Sequence, residues 1–529
     1  MDYPNRSKPQ HCVVGSGPAG VACASALLAS GQKVLMLDAG IRLEDSRRQI
    51  IESMSRHSPA NWNQEMLGEF KSGMKSDPSG IPLKLAYGSD YPYRETEANI
   101  PGDYDNVALR PSLGLGGFSS VWGAAMLPYS EEDMANWPIS QSDLAGHYCA
   151  VADITGFSGK WDDLETFFPL HTNPKAALEL SSQAEFFHSS LLQNRQLLQK
   201  AGIYFGHART AVRSGKDGCV YCGMCLYGCP YGFIYNSEFT LKELCNNPNF
   251  TYIPDCIVTK VQETSDHVCV TAHHRVTRDS LKICAGRVYL AAGTISTAGI
   301  VLRSLGMIDR PICIKDSQHF LFPLLLNRSA GDVRKEALHT LSQVFIEIFD
   351  KQICPRSVHI QIYSYNDLLG KAVRGCFGPF AKLLEPLSRS LEDRLIVAQG
   401  YLHSSYSSQI SLRLNSSGRL QLNAELNSNT KSTIRNVLKK LSKHRKQLGA
   451  LPLGPMLKIS QPGRGFHSGG CFPMRTSPSL LETDILGRVH GWHRIHLVDA
   501  SVFPDIPATQ ITFSVMANAH RIGHAAGKL

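Results

Sequence analysis

The chain has no run of about 18 consecutive apolar residues, the length a helix needs to cross a bilayer. Its longest apolar patch, Phe320 to Leu326, is short and contains Pro323. No transmembrane segment is therefore expected. The opening residues, MDYPNRSKPQ, lack the apolar core of a secretory signal, so the expected compartment is cytoplasmic. Internal repeats and low-complexity tracts are also missing. Charge is sparse: 19% of residues are charged and the formal net charge is +9 over 529 residues. Much of that excess collects in Lys431 to Leu448, where Ile434, Val437, Leu438, Leu441 and Leu448 fall on one helical face. The stretch reads as a helix with a solvated basic face. The alternative is a dock for an anionic partner, a phosphorylated substrate or a membrane surface. It has no interleaved aromatics or nucleic-acid motif, so no nucleic-acid partner is expected.

What the chain does have is length and cysteine. At 529 residues it exceeds what one hydrophobic core usually serves, which points to two domains or one domain with a large insertion. Fifteen cysteines without an export signal argue for thiols and metal ligands rather than a disulfide framework. Most are scattered and read as small core residues.

The N-terminus carries the first chemical motif. His11 to Val14 reads as a short strand, Gly15-Ser16-Gly17-Pro18-Ala19-Gly20 opens a helix that stops at Gly31, and Lys33 to Leu37 is a second strand ending at Asp38. In this pattern Gly15 allows a tight turn, Gly17 lets the backbone approach a pyrophosphate, and Gly20 lets helix and strand pack closely. The pyrophosphate would sit on the helix N-terminus, with Asp38 placed to accept from ribose hydroxyls. Strand, glycines, helix, strand and acid in register indicate a Rossmann-type dinucleotide-binding domain.

The second motif is Cys219, Cys222, Cys225 and Cys229 followed by Pro230, a C-x2-C-x2-C-x3-C-P run with the ligand spacing of bacterial ferredoxins. Glycines at 218, 223, 228 and 232 keep the loop open. No second run exists to share a cluster with the fourth cysteine. The spacing thus admits a 4Fe-4S cluster held by all four, a 3Fe-4S cluster held by three, tetrathiolate zinc, or a structural loop without metal.

Further along, the texture changes. Alternating apolar and polar residues around Gln343 to Ile348, Val358 to Tyr363, Ile396 to Leu402 and Ile410 to Leu422 suggest a half-exposed antiparallel sheet. The expected fold is α/β, with a discontinuous nucleotide-binding domain interrupted by a substrate domain built on this sheet. The boundaries are residues 1–150, 209–310 and 456–529 for the first, and 151–208 with 311–455 for the second. Phe513 to Ile522, ending near Gly523, reads as a closing helix.

Four separated segments resemble the glucose-methanol-choline (GMC) family of FAD-dependent oxidoreductases. They are the glycine motif with Asp38; Leu113 to Pro128, LGLGGFSSVWGAAMLP; Gly286 to Ser304, GRVYLAAGTISTAGIVLRS; and the C-terminal stretch from His467 through Asp499-Ala500-Ser501 to Arg521. The substrate domain resembles no family. Trp137-Pro138-Ile139-Ser140, with Asp143, Leu144 and Tyr148, is similar to a bacterial branch of the family marked by a WPIS segment. The resemblance implies a GMC-like fold, hydride transfer from a CH-OH carbon to flavin N5, and His467 as the proton acceptor.

Its second active-site position, normally His or Asn, aligns here with Gln510, which cannot titrate and would orient the substrate. Asn518 and His520 are alternatives offered by a shifted alignment and read instead as helix residues. The resemblance also assigns cofactor contacts to Gly15, Gly17, Pro18, Ala19, Gly20, Asp38, Gly116, Gly117, Ser119, Val258, Gly293, Asp499, Ala500 and Gln510. Ser119-Ser120-Val121-Trp122 offers no histidine for covalent attachment, so FAD should be non-covalent. The substrate implied is a small-molecule alcohol, a secondary hydroxyl of a sugar-like or polyhydroxylated molecule. Electrons would leave through the cysteine loop to a one-electron acceptor protein or quinone, which makes the chain a dehydrogenase. An oxidase with a structural cysteine loop, and a flavoprotein without turnover, are the rival readings.

Overall fold

The structure, a computed structural model, describes residues 10–73, 75–76 and 81–528. The opening residues 1–9, on which the reading of the N-terminus rests, lie outside the described residues.

A five-stranded parallel sheet forms the base of the nucleotide-binding layer. Its order is Ile495–Leu497, Arg287–Leu290, His11–Val14, Val34–Leu37, Phe250–Ile253. His11 pairs with Arg287 on one side and Val34 on the other. These strands come from the beginning, middle and end of the chain, so the layer is discontinuous as expected. The central strands His11–Val14 and Val34–Leu37 are buried along their whole length because the sheet is covered on both faces there. The helix Pro18–Ala29 is buried nearly all round, and its Ala and Cys side chains let the closing helix Thr512–Ala526 pack directly on it. A three-stranded antiparallel sheet, Cys256–Glu263, Val268–His274 and Ser280–Ala285, flanks this layer.

The alternating middle segments build a seven-stranded antiparallel sheet of Ala450–Pro452, His319–Leu326, Leu395–Leu402, Cys354–Tyr363, Val344–Asp350 and Ile203–His207, with Lys458–Ile459 beside His319–Leu326. Pro323 is tolerated inside its strand because it falls between two short partners, which pair with Phe320–Leu321 and with Leu324–Leu326. Alternation gives the sheet two characters. One face carries Phe320, Phe322, Ile346, Ile360, Ile362, Ile396 and Ala398 into an apolar core. The other presents His319, Leu321, Gln361, Tyr363, Gln399 and Tyr401 to a cavity.

The basic stretch is helical over Asn429–Lys443 and Arg445–Leu448. Its apolar stripe of Ile434, Val437, Leu438, Leu441 and Leu448 is buried in the same core, worth about 1.5–3 kcal/mol per fully buried side chain. Lys431, Arg435, Lys439 and Lys443 stay exposed.

One segment differs from expectation. Residues 410–422 are not part of the large sheet; they form the hairpin Gln409–Leu414 and Leu420–Glu425 in a separate five-stranded sheet with Ser468–Gly469, Ile312–Asp316 and Gly102–Asp105. Ile410, Leu412, Leu420 and Leu422 belong to the core of the nucleotide-binding layer. Alternation identifies a strand but not its partner, and here the partners are distant in sequence.

Candidate active site

The glycine loop divides its labour. Gly15 has φ +105°, and a Cβ on it would sit 2.5 Å from the Ala291 carbonyl oxygen. A Cβ on Gly20 would sit 1.9 Å from the Gly15 carbonyl oxygen, so this pair fixes strand to helix. Gly17 is different. Its φ of −64° is ordinary, and a Cβ there would meet nothing within 4 Å. Pro18 opens the helix at its first turn, leaving unpaired N–H groups at its N-terminus, where Gly17, Pro18 and Ala19 border open space.

Asp38 holds this loop from behind. It accepts from the Ser16 backbone N–H at 3.0 Å, the Ser16 hydroxyl at 2.7 Å and the Tyr252 hydroxyl at 3.1 Å. Burial pushes its carboxyl up, and these donors pull it back down. Ser16 Oγ in turn accepts from the Gly116 N–H at 3.0 Å, which ties the first motif to the second.

A second helix N-terminus opens on the same space. Gly293, at φ +83°, precedes the helix Thr294–Leu305. Asp499 fixes this turn by accepting from the Gly293 N–H at 2.9 Å and the Thr297 hydroxyl at 2.5 Å. Its other oxygen accepts from the Ser501 N–H at 3.0 Å. Ser119 is held similarly: its hydroxyl donates to the Gly116 carbonyl at 2.6 Å and meets Ser237 Oγ at 2.7 Å.

These elements enclose one cavity of about 930 Å³. Of the sequence-derived contacts, Gly15, Gly17, Pro18, Ala19, Asp38, Gly117, Ser119, Val258, Gly293, Asp499, Ala500, Gln510 and His467 all line it. Gly20 and Gly116 do not. They are packing positions, because Gly20 abuts Gly15 and a Cβ on Gly116 would sit 2.5 Å from Asn236 Oδ1. Val258 lies just before an irregularity in the pairing of its strand, between Val258 and Lys260.

The far end of the cavity is walled by the polar face of the large sheet. His467 stacks on Tyr401 with ring centroids 4.8 Å apart and planes inclined by 28°. Its Nδ1 is buried without a hydrogen-bond partner, and the accessible part of the ring faces the cavity. Burial lowers its pKa to about 3, with His359 and His319 nearby adding to the effect, so the imidazole is neutral over ordinary pH. Gln510 is buried with neither amide atom paired. A buried amide without partners costs free energy that a bound group can recover.

Asn518 and His520 lie elsewhere. Asn518 Oδ1 accepts from Arg521, and His520 Nδ1 meets His147 Nδ1 at 2.8 Å. Behind Tyr401, on the same row of the sheet, is the fully buried pair His359 and Glu347, hydrogen-bonded through His359 Nδ1. The Trp137-Pro138-Ile139-Ser140 segment is not part of the cavity. Trp137 packs on Tyr129 and Phe503, and Ser140 caps the helix Gln141–Thr155 with a capping box.

Sequence reasoning missed Tyr401, Gln361, Gln399 and Leu341 in the wall, and Lys84 beside it. Lys84 is half-buried, donates to the Trp122 carbonyl at 2.6 Å, and has its pKa lowered to about 8 by desolvation, a shift opposed by the nearby Cys225 and Cys229. Counting alternate residues along the middle strands would have flagged the two glutamines; nothing in the sequence flags Lys84.

The four cysteines of the run face a single small apolar void, lined also by Leu178, His339 and Leu341. Leu341 lines the large cavity too, so its side chain borders both spaces. Burial, with the neighbouring thiols, pushes Cys219 and Cys222 up to about 12. Backbone N–H groups point at the sulfurs, including Phe233 N–H to Cys229 Sγ at 3.3 Å. Among the described residues no three of these thiols lie within 4.8 Å of one another. A mononuclear tetrahedral zinc site, with Zn–S of about 2.3 Å, requires sulfurs about 3.8 Å apart. A polynuclear cluster holds its thiolates on different metal atoms and therefore further apart.

Sequence profiles described as GMC oxidoreductase match residues 103–315 and 429–519. No curated protein matches the chain. Among solved structures, the chain is similar to pyridoxine 4-oxidase from Mesorbium loti, at 13% identity and a TM-score of 0.57, covering 99% of this chain and 100% of that one. It is also similar to a fungal aryl-alcohol oxidase, at 13% identity and a TM-score of 0.60, covering 99% of each chain. At that identity the likeness is one of fold.

Proposed function

The chain belongs to the GMC oxidoreductase family and is an FAD-dependent oxidoreductase acting on CH-OH donors, and within that activity we propose that it is a dehydrogenase with His467 as proton acceptor and an iron-sulfur cluster in the cysteine loop. The observation that carries the proposal is the arrangement of two spaces on either side of Leu341, one holding His467 and Gln510, the other facing four thiols.

The residues fit FAD. Two helix N-termini, at Pro18 and Thr294, open on the cavity beside Gly17 and Gly293, where a Cβ would point into empty space. Unpaired N–H groups and the helix dipoles there favour a pyrophosphate. With Ser16, Tyr252 and Gly116 already engaging Asp38 and its loop, Asp38 shapes the site and offers the ribose what acceptor capacity remains. Bound FAD supplies the hydride acceptor. No residue of Ser119 to Trp122 offers a covalent link.

The protein's own part begins with the alcohol. Gln510 supplies an unpaired amide that can donate to and accept from the substrate hydroxyl, fixing its oxygen. The neutral His467 ring takes the hydroxyl proton at the nitrogen left accessible on the cavity side as the hydride departs. Tyr401 holds the ring in plane.

The wall also bears on the substrate. Leu321, Pro323, Leu341, Tyr363 and Val397 make it largely apolar, with the amides of Gln361, Gln399 and Asn366 and the cations Lys458 and Arg464 also on the cavity lining. The carboxylates lining the cavity, Asp38 and Asp499, belong to the cofactor end. The sugar-like expectation rested on the WPIS segment, which has its own structural work in the core. We therefore favour an alcohol with a substantial apolar body and few hydroxyls.

That no three of these thiols lie within 4.8 Å of one another among the described residues, together with the N–H groups aimed at sulfur, supports a polynuclear cluster over zinc, since such hydrogen bonds stabilise cluster thiolates. A cluster held by Cys219, Cys222, Cys225 and Cys229 would supply one-electron chemistry toward an acceptor protein or quinone. The test is turnover of Cys222→Ser with a one-electron acceptor. Loss of iron, retention of FAD and reduced acceptor turnover are expected. Peroxide formation at full rate by iron-free wild type would establish the oxidase reading instead.

A further inference from the structure

Away from the cavity, three side chains meet on the outer face of the three-stranded sheet. Cys269 Sγ lies 3.3 Å from His267 Nε2 and 3.8 Å from Cys284 Sγ, and the three ligand atoms all lie within 4.8 Å of one another. The sheet dictates this meeting. Cys269 and Cys284 are directly opposed across Val268–His274 and Ser280–Ala285, and His267 stands two residues before Cys269, on the same face. The inner face of the same strands, Val268, Val270, Ala272 and Leu281, is core. The two cysteines therefore occupy outward positions, where small apolar filler has no packing purpose. His267 Nδ1 is held 2.7 Å from Asp266 Oδ1 and 3.0 Å from Thr264 Oγ1. A carboxylate on Nδ1 favours a proton there and leaves the Nε2 lone pair directed at the cysteines.

We infer that His267, Cys269 and Cys284 form a zinc site, with a water completing the coordination. The distances suit it. Zn–S of about 2.3 Å in a tetrahedron sets sulfurs about 3.8 Å apart, and Zn–N of about 2.0–2.1 Å sets nitrogen and sulfur about 3.5 Å apart. The observed 3.8 Å and 3.3 Å need only small adjustments. A disulfide would need about 2.05 Å between the sulfurs. On binding, each thiol gives up its proton to solvent, and the two thiolates neutralise the dication while the imidazole stays neutral. Thiolate and imidazole together select zinc over magnesium or calcium. The ion would pin the Thr264–His267 turn to the third strand, bracing the sheet whose first strand brings Val258 to the cavity.

The test uses Co²⁺ as a spectroscopic probe on full-length, FAD-loaded, reduced protein. The wild type should develop thiolate-to-cobalt charge-transfer and visible d–d difference bands that zinc displaces. Cys284→Ser should lose these bands, and His267→Ala should bind at least tenfold more weakly. FAD content and melting temperature should hold in the absence of metal in both. Cys222→Ser, altered only in the cysteine loop, should keep the bands. Bands unchanged by Cys284→Ser, no cobalt uptake by the reduced wild type, or a Cys269–Cys284 disulfide in protein purified without oxidant would each overturn the assignment.

Discussion

Tyr401 packs against the ring of His467, centroids 4.8 Å apart and planes inclined by 28°, while His467 Nδ1 has no hydrogen-bond partner among the described residues to orient the imidazole. Orientation of the proton acceptor therefore depends on packing. Replacing Tyr401 by Ala should slow flavin reduction by ~10- to 100-fold, the range expected when a reacting group drifts by about an ångström, with FAD content unchanged. Tyr401→Phe keeps the stack and should retain most of the rate. Equal losses in the two variants would show that the hydroxyl, not the stack, matters.

His467→Ala should lower the rate of flavin reduction by ~100-fold or more, the usual contribution of a general base. Gln510→Ala should act differently, raising KM more than it lowers kcat, because an amide positions and does not titrate. Rapid-mixing measurements separate the two.

The pH profile follows from the same environment. The His467 pKa is lowered to about 3, so the neutral, competent form is fully present above that value and is lost only as pH falls through it. Flavin reduction should be flat from pH 5 to 9. An imidazole with the ordinary value of about 6.5 would instead halve the rate near that pH. A break between pH 6 and 7 that disappears in His467→Ala would contradict the burial of this ring.

Two glycines of one motif should fail in different ways. Gly17→Leu places its side chain where no protein atom lies within 4 Å, so the chain should fold with little loss of stability but bind no FAD. Gly20→Ala drives a methyl against the Gly15 carbonyl and should lower the melting temperature outright. Normal FAD content in Gly17→Leu would place the cofactor elsewhere.

Lys84 brings a half-buried cation close to Cys225 and Cys229. Removing it with Lys84→Met should make a cluster there harder to reduce, shifting its midpoint potential downward, because net charge near the cluster is one of the terms that set the potential. Redox titration followed by electron paramagnetic resonance reads the shift.

Much of this site was legible in the sequence because its parts are local. The turn Gly15 to Gly20, the acid after the second strand, and the histidine before Gly469-Gly470 each declare themselves within a few residues, and the structure brings them to one cavity. What was illegible depends on pairing at a distance. Gln361, Gln399 and Tyr401 reach the wall because four strands align in register, Phe345 opposite Gln361, Gln361 opposite Gln399 and Tyr401 opposite His319. The hairpin at 409–425 went to a different sheet because the partner that captured it, Gly102–Asp105, lies some three hundred residues earlier. The opposition of Cys269 and Cys284 is likewise a matter of register. Trp137 to Ser140, a conspicuous local pattern, serves a helix cap and an aromatic cluster.

A redox centre held by the four thiols beyond Leu341 would exchange electrons with the flavin, and counting electrons tests for it directly. Anaerobically purified protein, reduced stepwise by photoreduction, should take up about three electrons per chain, two at the flavin and one at an iron-sulfur cluster, and should show a paramagnetic signal that Cys222→Ser abolishes. Uptake of two electrons by iron-free protein with its full complement of FAD would contradict it.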